Sequence, residues 1–382
     1  MKKSLLALAA LTAFAGVASA QSSVTVFGGI DLAARNVKNG SAGSIKSLSG
    51  DGNYSSRLGF RGVEDLGGGL KAGFWLEAGV GADTGGLGAA GGATWNRRAT
   101  ASLMGDFGEI RLGRDYVPTF WNHTQFDPFG TNGVGNANNL IGTGGTASGT
   151  TTTRILGVPS TAAGDARTGT HVRADNSIGY HLPSLGGLYG QVMVAAGEGT
   201  VGNKYTGARL GYAAGPINVA AAFGKTDLVT DTLKAFNVAG SYNMGFATIF
   251  AVYHNYKVGG TEPTSATSYG NPSNRDLKNY LIGTTVPLGQ GTFKFSFAKT
   301  KGDLNSGNAA TAPTRLGASA TQIALGYVYD LSKRTALYTH YSTIKNKNGA
   351  HFYASGSGPA FGTTSTADFT STGYEFGIKH TF

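Results

Sequence analysis

The chain has 382 residues, 62 of them glycine, with no cysteine, only 14% charged residues and a formal net charge of +10. The lack of cysteine excludes a disulfide scaffold and thiolate metal sites. So much glycine with so little charge does not suit a helical protein; it suits many short strands joined by tight turns, and basic residues scattered singly argue against a nucleic-acid partner.

Residues 1–20 read as a cleaved signal peptide. Lys2 and Lys3 form a charged start, Leu5 to Val17 an apolar run, and Ala18-Ser19-Ala20 a small-residue cleavage site. Thirteen apolar residues are too few to span a bilayer, and no later run reaches eighteen. Residues 21–382 form one domain with a net charge of +8 once Lys2 and Lys3 are removed.

The domain then alternates apolar and polar residues in strand-length pieces. Val24, Val26, Gly28 and Ile30 share one face of the first strand, from Val24 to Asn36. A loop to Asn53 leads to Tyr54–Arg61, with Leu58 and Phe60 opposite Arg57 and Arg61. Leu70 to Gly79 and Ala93 to Met104 follow, and Gly105-Asp106-Phe107-Gly108 turns the chain into a fifth strand.

The stretch from 115 to 170 is the longest interruption. It opens with Tyr116, Phe120, Trp121, Phe126 and Phe129, carries Asp115 and Asp127, and continues polar and glycine-rich. A segment this long without strand periodicity is functional or disordered. Its aromatic start lets it pack, so we expect it to fold into the lumen of a barrel and narrow it.

Eleven further alternating segments follow, from Val172–Leu182 to Ser371–Phe382, which makes sixteen. Seven tight turns alternate with eight longer loops. An even number of strands of about ten residues, with short turns at one end, is the pattern of an all-β, sixteen-stranded antiparallel transmembrane barrel. In hydrocarbon an open sheet edge is too costly, so the sheet closes on itself. A lumen this wide holds water, so the apolar face looks out at lipid. The competing arrangement, a soluble sandwich, would bury Phe293, Phe295, Phe297, Ile323, Leu325, Tyr327 and Tyr329 inside.

Four stretches resemble the Gram-negative general porins of the beta-proteobacterial type. They are Ser23–Gly28 with Asp31; Ser56–Gly62 with Glu64-Asp65-Leu66-Gly67; Asn96–Ala99 through Phe107–Arg114; and Leu331–Thr335 with Phe376–Phe382. The constriction-loop signature is matched only in part, by Asp127-Pro128-Phe129-Gly130. The resemblance implies a homotrimer in the outer membrane, in contact with its lipid, passing ions and small hydrophilic solutes passively. It implies no cofactor, and a terminal Phe382 read by the outer-membrane assembly machinery.

The resemblance also implies wall arginines facing loop acids at the narrowest point. Strand phase turns Arg57, Arg98 and Arg173 inward, with Arg61 inward at unknown height; Asp115 and Asp127 are the loop acids, and Asp127 before Pro128 also suits a turn. In strand four Arg97 shares the lipid-facing phase of Ala99, Ala101 and Leu103. An arginine-lined constriction implies a modest anion preference.

Other readings remain open. A barrel enzyme finds no Gly-x-Ser-x-Gly and no His-Glu-x-x-His. Gly86-Leu87-Gly88-Ala89-Ala90-Gly91 matches a dinucleotide pattern but precedes no helix, so it reads as loop glycine. A substrate-specific channel, or an adhesin working through its loops, is the alternative to a diffusion channel.

Overall fold

The computed structural model describes residues 23–88, 92–141, 171–198, 204–227, 231–260, 274–304, 315–348, 350, 352–355 and 368–382. The expected signal peptide lies outside these, as does the 142–170 part of the long loop.

Strand alternation produces a closed antiparallel barrel with sixteen wall strands. The first five are β1 (Ser23–Asn39), β2 in two segments (Ser44–Gly50 and Arg57–Gly67), β3 (Leu70–Gly81), β4 (Arg98–Gly105) and β5 (Gly108–Tyr116). After the long loop come β6 (Arg173–His181), β7 (Leu188–Ala195), β8 (Lys204–Ala214), β9 (Ile217–Asp227), β10 (Asp231–Asn243) and β11 (Thr248–Gly260). The last five are β12 (Asn274–Leu288), β13 (Gly291–Leu304), β14 (Arg315–Asp330), β15 (Thr335–Lys347) and β16 (Thr370–Thr381). Each pairs with its neighbours, and β1 closes the ring on β16 from Gly29 opposite Thr381 to Asn39 opposite Ser371. Phe382 completes the seam by exchanging backbone hydrogen bonds with Gly28, at 3.2 and 3.1 Å. Closure of the ring removes the sheet edge that lipid could not satisfy.

The apolar face points outward. Ile282 is 61% exposed, and Phe297, Ile323 and Leu325 are each 41% exposed on the outer surface, while their strand neighbours Ser296, Ala298, Gln322 and Ala324 are buried inside. This excludes the sandwich.

Two expected boundaries need correction. The first loop is not 37–53: β1 runs to Asn39, and Ser44–Gly50 returns along it as a strand. Its two apolar residues, Ile45 and Leu48, are three apart, so they show no period of two. Tyr54 is not on a strand either; the wall resumes at Arg57. The 86–87 pair hydrogen-bonds to Val80–Gly81 as a short extension beside β3.

The described part of the long loop, through Ile141, turns inward. Its helix α1 (Pro118–Phe126) starts with proline at the first helical position, where no N–H is needed. It packs on the inner faces of β7 to β11. Phe126, Leu140 and Ile141 join Tyr256, Leu277, Leu281 and Ile344 in a dry cluster between loop and wall. The covered lumen face is thus mixed, with this apolar cluster beside buried polar groups such as Asn237 and His254, and burying a side chain such as Phe126 contributes about 2 kcal/mol.

Candidate functional site: an arginine wall facing the inserted loop

The helix of the loop packs on the opposite wall, and arginines gather on β2 to β6. The ladder places Arg57 opposite Gly79, Glu77 opposite Arg98, and Ala99 opposite Arg114, so β2, β3, β4 and β5 carry them side by side.

Glu77 is the centre of the upper group. Its Oε1 accepts from Arg57 at 3.2 Å and from Arg97 at 2.6 Å. Its Oε2 accepts from the Trp75 indole at 3.1 Å. Arg97 also donates to the Tyr116 hydroxyl at 3.2 Å, and the Arg173 guanidinium lies 4.4 Å above the same ring. Arg173 donates to the Arg97 carbonyl at 2.6 Å.

Trp75 organises the next tier. Arg98 lies 4.5 Å from its ring centre and Arg61 5.2 Å. Arg61 also approaches Phe27 at 5.3 Å. A guanidinium on an indole face is held by the ring quadrupole without losing its charge. Arg98 then meets Asp115 at 3.9 Å, and Arg111 bridges Asp115 at 2.5 Å and Glu109 at 2.9 Å.

Of the residues expected at a constriction, Arg57, Arg98, Arg173 and Arg61 thus fall on one connected wall. Asp115 requires a correction: β5 continues through Tyr116, so Asp115 belongs to the wall and not to the loop. Asp127 is on the loop, but its carboxylate closes the loop on itself. Oδ1 accepts from the Phe129 amide at 2.9 Å and Oδ2 from the Ala137 amide at 2.8 Å. Burial pushes its carboxyl up to about 7. The acids that partner the arginines are therefore wall residues, Glu77, Glu109 and Asp115. The described part of the loop also carries uncharged polar side chains with some exposure, among them Gln125, Thr131 and Asn132. Arg209, on the covered wall, donates to Asn122 at 2.6 Å and to Gln125.

Strand phase missed Arg97. It sits one residue before β4 begins, where alternation no longer applies; Asn96 turns the chain by accepting from the Gly79 amide at 2.9 Å. A clue was the unpaired inward acid at Glu77 on the neighbouring strand. Asp175 is exposed and pairs with Arg114, beside a bulge that sets two residues of β6, Asp175 and Asn176, opposite one of β5, with Asn176 at φ +53°.

The arrangement has no nucleophile or metal cluster among the described residues. Six guanidiniums (Arg57, Arg61, Arg97, Arg98, Arg111 and Arg173) meet three carboxylates, which leaves the wall cationic.

Comparison with known proteins agrees with this geometry. Residues 7–349 match the family model described as Gram-negative porin. The chain belongs to the Gram-negative porins. It is 34% identical over its whole length to outer membrane porin protein 32 of Delftia acidovorans, covering all of that protein too. It is 29% identical to an outer membrane porin protein of Bordetella pertussis, across 91% of this chain and 95% of that one. Among solved structures, an anion-selective porin from Comamonas acidovorans superposes with a TM-score of 0.73 at 32% identity, covering 95% of this chain and 100% of that one. This porin is accordingly a β-barrel of the Gram-negative outer membrane.

Proposed function

We propose that this porin forms a water-filled channel for passive diffusion of small hydrophilic solutes, with a modest preference for anions. The observation that carries the reading is the excess of guanidinium over carboxylate on the wall, while Asp127, the acid of the described part of the loop, is turned onto the loop's own amides. The anion-selective Comamonas relative supports it.

The mechanism is electrostatic and passive. About three uncompensated positive charges at about 8 Å from a solute carboxylate each attract it by roughly 0.5 kcal/mol at water-like dielectric. Together that is about 1.5 kcal/mol, or roughly tenfold in local concentration. Salt with a Debye length of about 8 Å reduces this to a few-fold. A field of this size enriches anions without trapping them. Arg57, Arg61, Arg98 and Arg173 supply charge, Asp115 orients Arg98 and Arg111, and Asp127 sets the shape of the loop.

The same reading includes a homotrimer, contact with outer-membrane lipid and small solutes, removal of residues 1–20, and recognition of Phe382 by the assembly machinery. It includes no cofactor and no enzymatic activity.

Conductance of the reconstituted protein tests it. Single-channel steps should rise in proportion to salt concentration. Saturation at millimolar levels of one solute would favour a substrate-specific channel.

A further inference from the structure

The break in β2 has a consequence for the channel. On β1, Gly29 pairs with Arg57 and Leu32 with Gly50. Only Ile30 and Asp31 stand between them, yet β2 supplies six residues, 51–56, for that gap. The surplus must leave the wall. Ile30 faces out and Asp31 faces in, fully buried. The surplus goes to the Asp31 side.

Asp31 binds it with both oxygens. Oδ1 accepts from the Gly52 amide at 2.9 Å and from the Tyr338 hydroxyl. Oδ2 accepts from the amides of Asn53 at 3.0 Å and Tyr54 at 2.9 Å. Three successive N–H groups converging on one carboxylate form an anion nest, here filled by the protein's own acid. A Cβ on Gly52 would overlap the Tyr338 hydroxyl, so this position needs glycine. Asp51 takes a left-handed backbone, φ +63°, and its carboxylate accepts from the Ser56 amide at 2.6 Å.

The inward fold then touches both sides of the lumen. Its Asp51 carbonyl accepts from the Gly133 amide of the long loop at 2.9 Å, and Ser55 donates to Asn132 at 2.6 Å. Asn53 accepts from Lys294 of β13 at 3.0 Å. Tyr54 lies under the Arg57 guanidinium at 4.4 Å, next to Glu77.

We infer that residues 51–56 are a second constricting element, and that Asp31 is the positioning residue that holds Tyr54 and Arg57 at the permeation path. Asp31 carries no free charge into the lumen; its amide and hydroxyl donors occupy it. The inference rests on the channel reading, and two independent measurements separate them.

The chain is free of cysteine, so Tyr54→Cys creates a single thiol. With that variant conducting in a planar bilayer, a negatively charged methanethiosulfonate reagent should cut single-channel current and leave the cysteine-free parent unaffected. Unchanged current after labelling verified by mass would overturn the inference while leaving the channel reading intact. A parent that does not conduct would instead sink the channel reading.

Asp31→Asn replaces an acceptor oxygen by a donor facing the amide nest. It should raise conductance and lower the anion-to-cation permeability ratio by about twofold, the contribution of one displaced guanidinium at about 8 Å. Asp31→Glu should keep part of the ratio, which a merely fold-stabilising carboxylate would not predict. An Asp31→Asn barrel with the parent's conductance and ratio would contradict the positioning role. If that variant fails to assemble, the Tyr54→Cys labelling decides.

Discussion

The Arg98 guanidinium rests 4.5 Å from the centre of the Trp75 ring, on the adjacent strand. Trp75 also touches Arg61 and donates its indole N–H to Glu77. One aromatic side chain thus positions two cations and the acid that orders two more. A cation–π contact contributes about 1 kcal/mol at a partly exposed site. Trp75→Leu should therefore release Arg98 and Arg61 into several rotamers and lower the anion-to-cation permeability ratio by about twofold. Reversal potential under a salt gradient reads this directly; an unchanged ratio would refute the organising role.

Glu77 neutralises charge that the wall would otherwise offer to solutes. Glu77→Gln keeps the shape and removes one negative charge between Arg57 and Arg97. Anion preference should rise by about twofold, the effect of one further charge at about 8 Å. The rise should shrink in molar salt, where the Debye length falls to about 3 Å. A fall in anion preference would mean that Glu77 matters mainly as a strut.

The sixteen wall strands were legible because lipid on one side and water on the other force a period of two. Leu58 and Phe60, or Ile110 and Leu112, announce the outer face without help from their neighbours. Ser44–Gly50 did not announce itself: Ile45 and Leu48 are three apart, which is not a strand period. Arg97 was misplaced for a related reason: it lies beyond a strand end, where phase counting does not apply. The wall arginines could be picked out, but not their partners. Asp115 looked like loop because Gly113-Arg114-Asp115-Tyr116 precedes a proline; pairing with Ala174 and Arg173 keeps it in the sheet. The apolar inner patch under the loop, with Leu277 and Leu281, mimics the outer pattern and becomes intelligible only once loop residues such as Phe126, Leu140 and Ile141 cover it.

Loop attachment on the far side depends on Glu375. It is 1% exposed, bridges Arg35 at 2.7 Å and His340 at 3.0 Å, and accepts from the Val134 amide at 3.2 Å. Glu375→Ala leaves the Arg35 Nε and the Val134 amide without their acceptor. Removing one partner of a buried pair costs about 3 kcal/mol. The urea midpoint of the folded barrel should drop, and channel noise should increase as the loop loses an anchor. A midpoint within error of the parent would count against the anchor.

The docking of α1 should weaken in acid. His123 stacks on His254 at 3.7 Å between ring centres and bonds to Tyr256, while Thr119 and Asn122 bond to Asn237. His171 lies against Phe120. Burial depresses the His123 imidazole well below its ordinary range, with the neighbouring histidines adding to this, and burial holds His171 down at about 4. A base with a depressed pKa is stable docked above its free value of 6.5 and loses that stability as pH falls below it. Each such imidazole weakens docking by about 1.4 kcal/mol per pH unit, from about 6.5 down to about 4 for His171. Open-channel closures should become frequent over that window and be reduced in His123→Asn and His171→Asn. A flat record from pH 7 to pH 4 would contradict the latch.

An outward oily face surrounds a wet, cationic lumen, and zero-current potential across a planar bilayer under a potassium chloride gradient tests this most directly. Chloride should be preferred by a few-fold, with the preference fading as salt rises. A potential of cationic sign, or a purified protein that inserts without conducting, would contradict the account.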